Sequence, residues 1–156
     1  MKNLKMLMLA LMVSLFVVSC SKDDDPTTQD LLVGKWEFMQ SGYVDTTGKE
    51  TLYDWDSDCE TKKDYLQFLG GTVLKESYYD DCSNTVDYNG TWTLNDKTIT
   101  TANSDEFGSR NLEIVELTDT VLKVRFPYDY KYAKTTSTTK DSPFAFIIYI
   151  FRKGAN

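Results

Sequence analysis

Apolar and polar positions are distributed unevenly along this chain. Met6 to Val18 is an apolar run of thirteen residues broken only by Ser14. At roughly 1.5 Å of helix rise per residue it is too short to cross a hydrocarbon core of about 30 Å. From Ser21 to Asp30 the pattern turns polar, with no apolar periodicity, and predicts a flexible tether. Beyond residue 30, Val, Ile, Thr, Tyr, Phe and Trp recur in short stretches separated by turn residues, which predicts strands. Eight are expected: Gly34–Tyr43, Asp64–Leu69, Thr72–Tyr79, Gly90–Asn95, Lys97–Thr101, Asn111–Leu117, Val121–Tyr128 and Phe144–Arg152. Tight turns are expected at Leu94-Asn95-Asp96-Lys97 and Leu117-Thr118-Asp119-Thr120. Longer loops fall at about 44–62 and 130–142. Sequential short strands joined by hairpins favour an all-β, eight-stranded antiparallel up-and-down meander, closed into a barrel that leaves no free edge.

The N-terminus adds chemistry to the apolar run. Lys2 and Lys5 precede it, and Val17-Val18-Ser19-Cys20 follows. A basic start, a short apolar stretch and a small residue at the processing point make a secretion signal. The last four residues resemble the lipobox of bacterial lipoproteins. That resemblance implies cleavage after Ser19 and two or three acyl chains on Cys20, enough for stable membrane anchoring. The chain then divides into a signal peptide at 1–19, a lipidated Cys and tether at 20–30, and a barrel domain at 31–156. Lys22-Asp23-Asp24 resembles the sorting signal of surface-displayed Gram-negative lipoproteins. The expected location is therefore the outer membrane, exposed at the cell surface, with a periplasm-facing anchor as the alternative.

Charge narrows the partners. Removing residues 1–19 takes away two lysines and no acid, so the net charge moves from −7 to −9. An acidic chain lacks the clustered Lys and Arg that neutralise phosphate, so nucleic acid is not an expected partner. There is no histidine. Ser-His-Asp and Cys-His catalysis and His-ligated zinc are thereby excluded. No other catalytic motif is present, and a non-enzymatic protein without a cofactor is expected, with carboxylate-based glycoside hydrolysis as the residual enzymatic reading. Asp54-Trp55-Asp56-Ser57-Asp58 has the spacing of a calcium loop, but Cys59 and Tyr65 stand where that loop needs Gly and Glu. A solvated acidic loop is expected there, and no metal.

With Cys20 used by the lipid, Cys59 and Cys82 are left as a pair in an oxidising compartment. The stretch between them folds as a hairpin about Gly70-Gly71. A two-residue loop sets Phe68 opposite Val73. The same register continued to the open end of the hairpin sets Cys59 opposite Cys82, and a structural disulfide is expected.

Leu32-Val33-Gly34-Lys35-Trp36 opens the first strand with Gly-x-Trp. Cys59, Tyr65-Leu66-Gln67-Phe68, Gly70-Gly71, Cys82 and Gly90-Thr91-Trp92-Thr93-Leu94 follow in order. Over about residues 31–126 this series resembles the lipocalins, most closely the small lipocalin-like domains of bacterial lipoproteins. The resemblance implies a barrel whose first-strand Trp packs at the closed end against an Arg of the last strand. Gly34, Trp36 and Arg152 are expected in that structural role. Arg152 shares strand parity with Phe144, Phe146, Ile148 and Ile150, which puts it on the face of that apolar row.

An eight-stranded barrel holds either packed side chains or one small ligand. If there is a cavity, parity nominates Phe38, Phe68, Val73, Trp92, Val124, Phe126, Phe146 and Ile148 for its lining. Tyr128, Tyr130 and Tyr132 alternate beside the Thr-rich loop and form a candidate rim for an amphipathic or carbohydrate ligand. Phe144–Phe151 is apolar on both faces, so its outer face must meet the core, a neighbour, the membrane or the 44–62 loop. The expected function is a membrane-anchored lipocalin-like protein binding a small apolar or amphipathic ligand in its barrel. The alternative is a cell-surface interaction or scaffold module with a filled barrel, binding protein or glycan through its loops.

Overall fold

The computed structural model describes residues 26–129 and 143–155. A short helix, α1 (Thr28–Leu32), is followed by nine strands: β1 (Gly34–Asp45), β2 (Glu50–Asp54), β3 (Tyr65–Phe68), β4 (Val73–Tyr79), β5 (Thr85–Asn95), β6 (Thr98–Ser104), β7 (Gly108–Leu117), β8 (Val121–Pro127) and β9 (Phe144–Lys153). Every neighbouring pair from β3 to β9 is antiparallel. β1 pairs with β3 on one side and with β9 on the other, closing an eight-stranded barrel. All eight expected strands are present, with ends moved by up to five residues. β2 is the addition. It occupies part of the expected 44–62 loop and pairs with the second half of β1, Gln40 to Val44.

The segment read as a tether, residues 20–30, ends in helix. Thr27 caps α1 by accepting from the Asp30 amide, while the Asp30 carboxylate accepts from the Thr27 amide, a reciprocal capping box. Residues 28–30 are therefore helix. Leu32 drops into the core from this helix, and the Trp36 indole donates to the Leu32 carbonyl at 2.7 Å. Gly34 joins helix to strand at φ 123°, a conformation side chains disfavour, which gives the Gly of Gly-x-Trp its physical reason.

The cation over Trp36 is Lys153, not Arg152. Lys153 sits opposite Trp36 in the β1–β9 ladder, and its ammonium lies 4.3 Å from the ring centre. It also donates to the carbonyls of Leu31 and Val33 at 2.7 and 2.6 Å, satisfying backbone left open where α1 ends. Burial pulls its pKa below the ordinary lysine value. Arg152 faces outward, 58% exposed, and pairs with Glu37. The parity argument failed because β9 is apolar on both faces, so alternation carried no sign.

The outer face of β9 is roofed by the chain itself. Gly42 lies opposite Ile148, and β2 comes so near that a Cβ on Gly42 would sit 2.0 Å from the Thr51 carbonyl oxygen. Glu50 of this hairpin reaches Lys123 of β8 at 2.8 Å, spanning β9. Ile148 is fully buried yet outside the interior cluster, and Phe146 lies under the Arg125 guanidinium at 4.6 Å. Of the readings left open for this strand, coverage by the 44–62 segment is the one observed. Phe146 and Ile148 do not line the barrel.

The β3–β4 turn also corrects the register. Its loop has three residues, Gly70 to Thr72, with Gly71 and Thr72 both at φ 71°. Phe68 therefore faces Leu74, and Val73 points outward, 39% exposed. The Cys59–Cys82 disulfide is present. The ladder, however, ends at Tyr65–Ser77, so the bridge joins the β2–β3 loop to the β4–β5 turn and does not continue a register.

These contacts separate two neighbouring cations. Lys153→Ala should destabilise the domain by about 1–3 kcal/mol, through lost charge-assisted hydrogen bonds and the ring contact. Arg152→Ala should stay within about 0.5 kcal/mol, as an exposed ion pair does. Urea denaturation of both variants checks this, and equal losses would contradict it.

Candidate functional site

The barrel has a closed and an open end. α1, Leu32, Trp36 and Lys153 seal the first, where the Trp92 indole also donates to the Leu69 carbonyl at 3.0 Å. A small pocket of about 260 Å³ remains beside Gln29, Gly70–Thr72 and Trp92–Leu94. The opposite end carries the β4–β5 and β6–β7 turns and the end of β8.

Five of the eight nominated lining residues face inward: Phe38, Phe68, Trp92, Val124 and Phe126 all belong to the interior cluster. They do not surround an open cup. Phe38 stacks on Trp55 at 4.3 Å and meets Phe151 at 4.8 Å, while Phe68 meets Trp92 edge-on at 5.1 Å. Trp55 comes from the loop that sequence read as a solvated acidic segment. Its indole donates to Asp64 at 2.8 Å, and Asp64 also accepts from Ser57 and from the Tyr79 amide. Asp54, Asp56 and Asp58 of that loop are exposed, while Trp55 packs inward.

At the open end the β6–β7 turn bends into the barrel. Phe107 is 1% exposed and lies edge-on to Tyr149 at 5.2 Å and to Phe126 at 6.2 Å. Beneath the turn sits Glu76, fully buried. Its carboxylate accepts from the Ser104 hydroxyl, from the amides of Asp105 and Glu106 at 2.9 and 3.1 Å, and from the Tyr78 hydroxyl at 3.4 Å. Four donors compensate the burial of one carboxylate. The Tyr149 hydroxyl donates to Glu106. Burial raises the Glu106 pKa above the usual carboxylate value, and burial likewise pushes the Tyr78 and Tyr149 hydroxyls above the usual phenol range. None of Glu76, Ser104, Glu106 or Phe107 was a sequence candidate. Their signal was a register away: with Phe68 opposite Leu74, Glu76 and Tyr78 fall on the inward face, where a charge is out of place.

Above this plug lies a cleft of about 830 Å³, lined by Asp105, Glu106, Phe107, Arg110, Phe126 and Asp129 among others. Phe107, Phe126 and Pro127 are its apolar floor, the two rings showing only 1% and 5% of their surface. The Arg110 guanidinium lies 4.7 Å over the Phe126 ring, and three carboxylates border it. An aromatic rim continues from it: Tyr128 meets Phe144 at 5.6 Å, Phe144 meets Tyr43 at 4.1 Å, and Tyr43 meets Tyr53 at 6.3 Å. Tyr128 stands at the mouth, beside Phe144. Tyr130, Tyr132 and Cys20 lie outside the described residues. An apolar floor with charged and phenolic groups above it suits a ligand with one apolar and one polar part.

Residues 32–124 match the family model described as "Lipocalin-like domain". The chain belongs to the lipocalin-like domain family. Two solved structures share the fold. A lipocalin-like protein from Bacteroides uniformis ATCC 8492 is 16% identical, with a TM-score of 0.50, over 80% of this chain and 99% of that one. An uncharacterized protein from Bacteroides eggerthii DSM 20697 is 18% identical, with a TM-score of 0.50, over 79% of this chain and 99% of that one. No curated protein matches. The lipocalin-like match spans β1 to most of β8, and the closing strand β9 lies beyond it.

The raised pKa of Glu106 has a defined sign. The folded lipocalin-like domain holds this proton more tightly than the unfolded chain. The contribution is complete below the ordinary carboxylate pKa and is lost as pH rises through the folded value. Glu106→Gln, which keeps an acceptor for Tyr149, should therefore stabilise the domain at pH 7 and give no gain at pH 4. Urea midpoints at the two pH values test this, and a loss of stability at pH 7 would refute it.

Proposed function

We infer that this chain is a lipid-anchored binding module of the lipocalin-like family, taking a small amphipathic ligand at the mouth of its barrel. The observation that carries this reading is the open-end cleft, with Phe107 and Phe126 as floor and Arg110, Asp105, Glu106 and Asp129 around it. The packed interior limits depth, so the ligand's apolar part rests on the floor while its polar part meets the rim. Burial of apolar surface supplies the affinity, and the few polar groups set orientation. Three carboxylates against one guanidinium favour a neutral or cationic polar part over an anionic one.

Anchoring rests on Cys20 and its lipobox. Among the described residues no helix is long and apolar enough to cross a membrane. The chain enters the barrel through α1 at the closed end. A tether from Cys20 would therefore join the barrel at the end opposite its mouth. The filled interior and the Tyr43, Tyr53, Tyr128 and Phe144 rim favour a second reading, a surface module binding protein or glycan through its loops.

Two measurements test these readings. The chain taken from membranes should carry acyl chains and lose them, together with membrane association, in Cys20→Ser. Residues 26–156 should show a native mass above the denatured mass by one small ligand. Equal masses, with no amphiphile bound on titration, would sink the ligand-binding reading in favour of the surface module.

A further inference from the structure

We propose that the β6–β7 turn is a displaceable plug, and that Phe107 occupies an apolar subsite that an uncharged aryl or alkyl group of the ligand takes when the turn swings out. The proposal deepens the mouth-binding reading and rests on it.

Four observations converge on this turn. First, the regular ladders of the barrel wall break where it begins. The β5–β6 ladder stops at Thr91–Ala102, and the β6–β7 ladder is interrupted between Thr101 and Ser104, resuming only for the pair Ser104–Gly108 that closes the turn. Second, left-handed backbone brackets it, Asn103 at φ 56° and Gly108 at φ 64°. Such positions are where a chain changes direction, and Asn and Gly are the residues that tolerate them. Third, its polar ties to the interior are few. Glu76 holds the Ser104 hydroxyl and the amides of Asp105 and Glu106, and Tyr149 holds the Glu106 carboxylate. The bond from the Phe107 amide to the Ser104 hydroxyl at 2.9 Å is internal to the turn and moves with it, while the Thr101 hydroxyl holds the Gly108 carbonyl at 3.2 Å where the turn rejoins the wall. Fourth, Phe107 is the partition. It lines the cleft on one side and belongs to the interior cluster on the other, against Phe126 and Tyr149.

The apolar part of the exchange is balanced. A ligand ring against Phe126 and Tyr149 buries the same kind of surface that Phe107 gives up. The freed amides of the turn reach water at the mouth. Glu76 is left with Tyr78 and whatever polar group or water follows the ligand inward. The ligand shifts the equilibrium only by its preference for the open form, so weakening the latch must strengthen apparent binding.

The test uses the full chain in phospholipid nanodiscs, with empty discs as the blank and 2-naphthol, an uncharged aryl alcohol, as the probe. Fluorescence gives affinity, and hydrogen exchange reads the amides of Asp105 and Glu106. Glu76→Gln should bind the probe about tenfold tighter than the unaltered chain, because the competent open fraction rises. Saturating probe should expose both amides in each protein. Ser104→Ala removes one donor while leaving the carboxylate, and should shift affinity in the same direction by less. It serves as the test if Glu76→Gln does not fold. Probe binding with both amides still protected, or with affinity unchanged in the folded variants, would overturn the plug and leave the mouth-cleft reading standing. No binding to any of the three proteins would overturn both.

Discussion

The pairing of β1 with β9 is the contact on which the rest of this protein depends. A sheet of this length has two edges unless its last strand finds its first, and here the ladder runs from Trp36–Lys153 to Asp45–Phe144. Closure fixes the inside of the barrel. Phe38, Tyr149 and Phe151 meet because this ladder holds them side by side, and Lys153 is carried over Trp36 and to the end of α1 by the same register. A shift between Phe38 and Gln40 lets β1 change face midway. Its first half builds the core, and its second half carries Gly42 and Val44 on the outer face, where β2 folds back.

That bend explains an awkward feature of the chain. Phe144 to Phe151 is apolar on both faces, which would make an aggregation-prone wall in a simple barrel. The chain resolves it with its own β1–β2 hairpin. Gly42 is small enough to admit the backbone of Thr51, and the Glu50–Lys123 ion pair ties the hairpin down across β9. The outer side of the closing strand is in effect a second, minor core.

Packing also decides what kind of binding the fold supports. The interior carries Trp55 from a loop and Phe107 from a turn in addition to the strand residues. Both are held by buried carboxylates, Asp64 and Glu76, each surrounded by donors. A carboxylate in that position is costly unless its donors are placed around it, so each also fixes the segment that supplies them. The result is a barrel filled from below and plugged from above, with its open volume at the mouth.

The eight barrel strands, the disulfide partners and the Gly-x-Trp opening were legible from the chain, because alternation, turn residues and cysteine number are local signals. The faces of strands were less so. Val73 was assigned inward because Gly70-Gly71 invites a two-residue turn, and the third residue, Thr72, reverses every side chain after it. Phe146, Ile148 and Arg152 were assigned inward because a strand apolar on both sides gives no sign for its parity. The inward charge of Glu76, the plug it holds and the exchange of Arg152 for Lys153 depend on which strands become neighbours. Composition and periodicity determined that this protein is an all-β chain with strands in this order. Only closure of the barrel decided which face of each strand is inside, because a period of two fixes alternation and leaves the choice of side to the partner across the sheet.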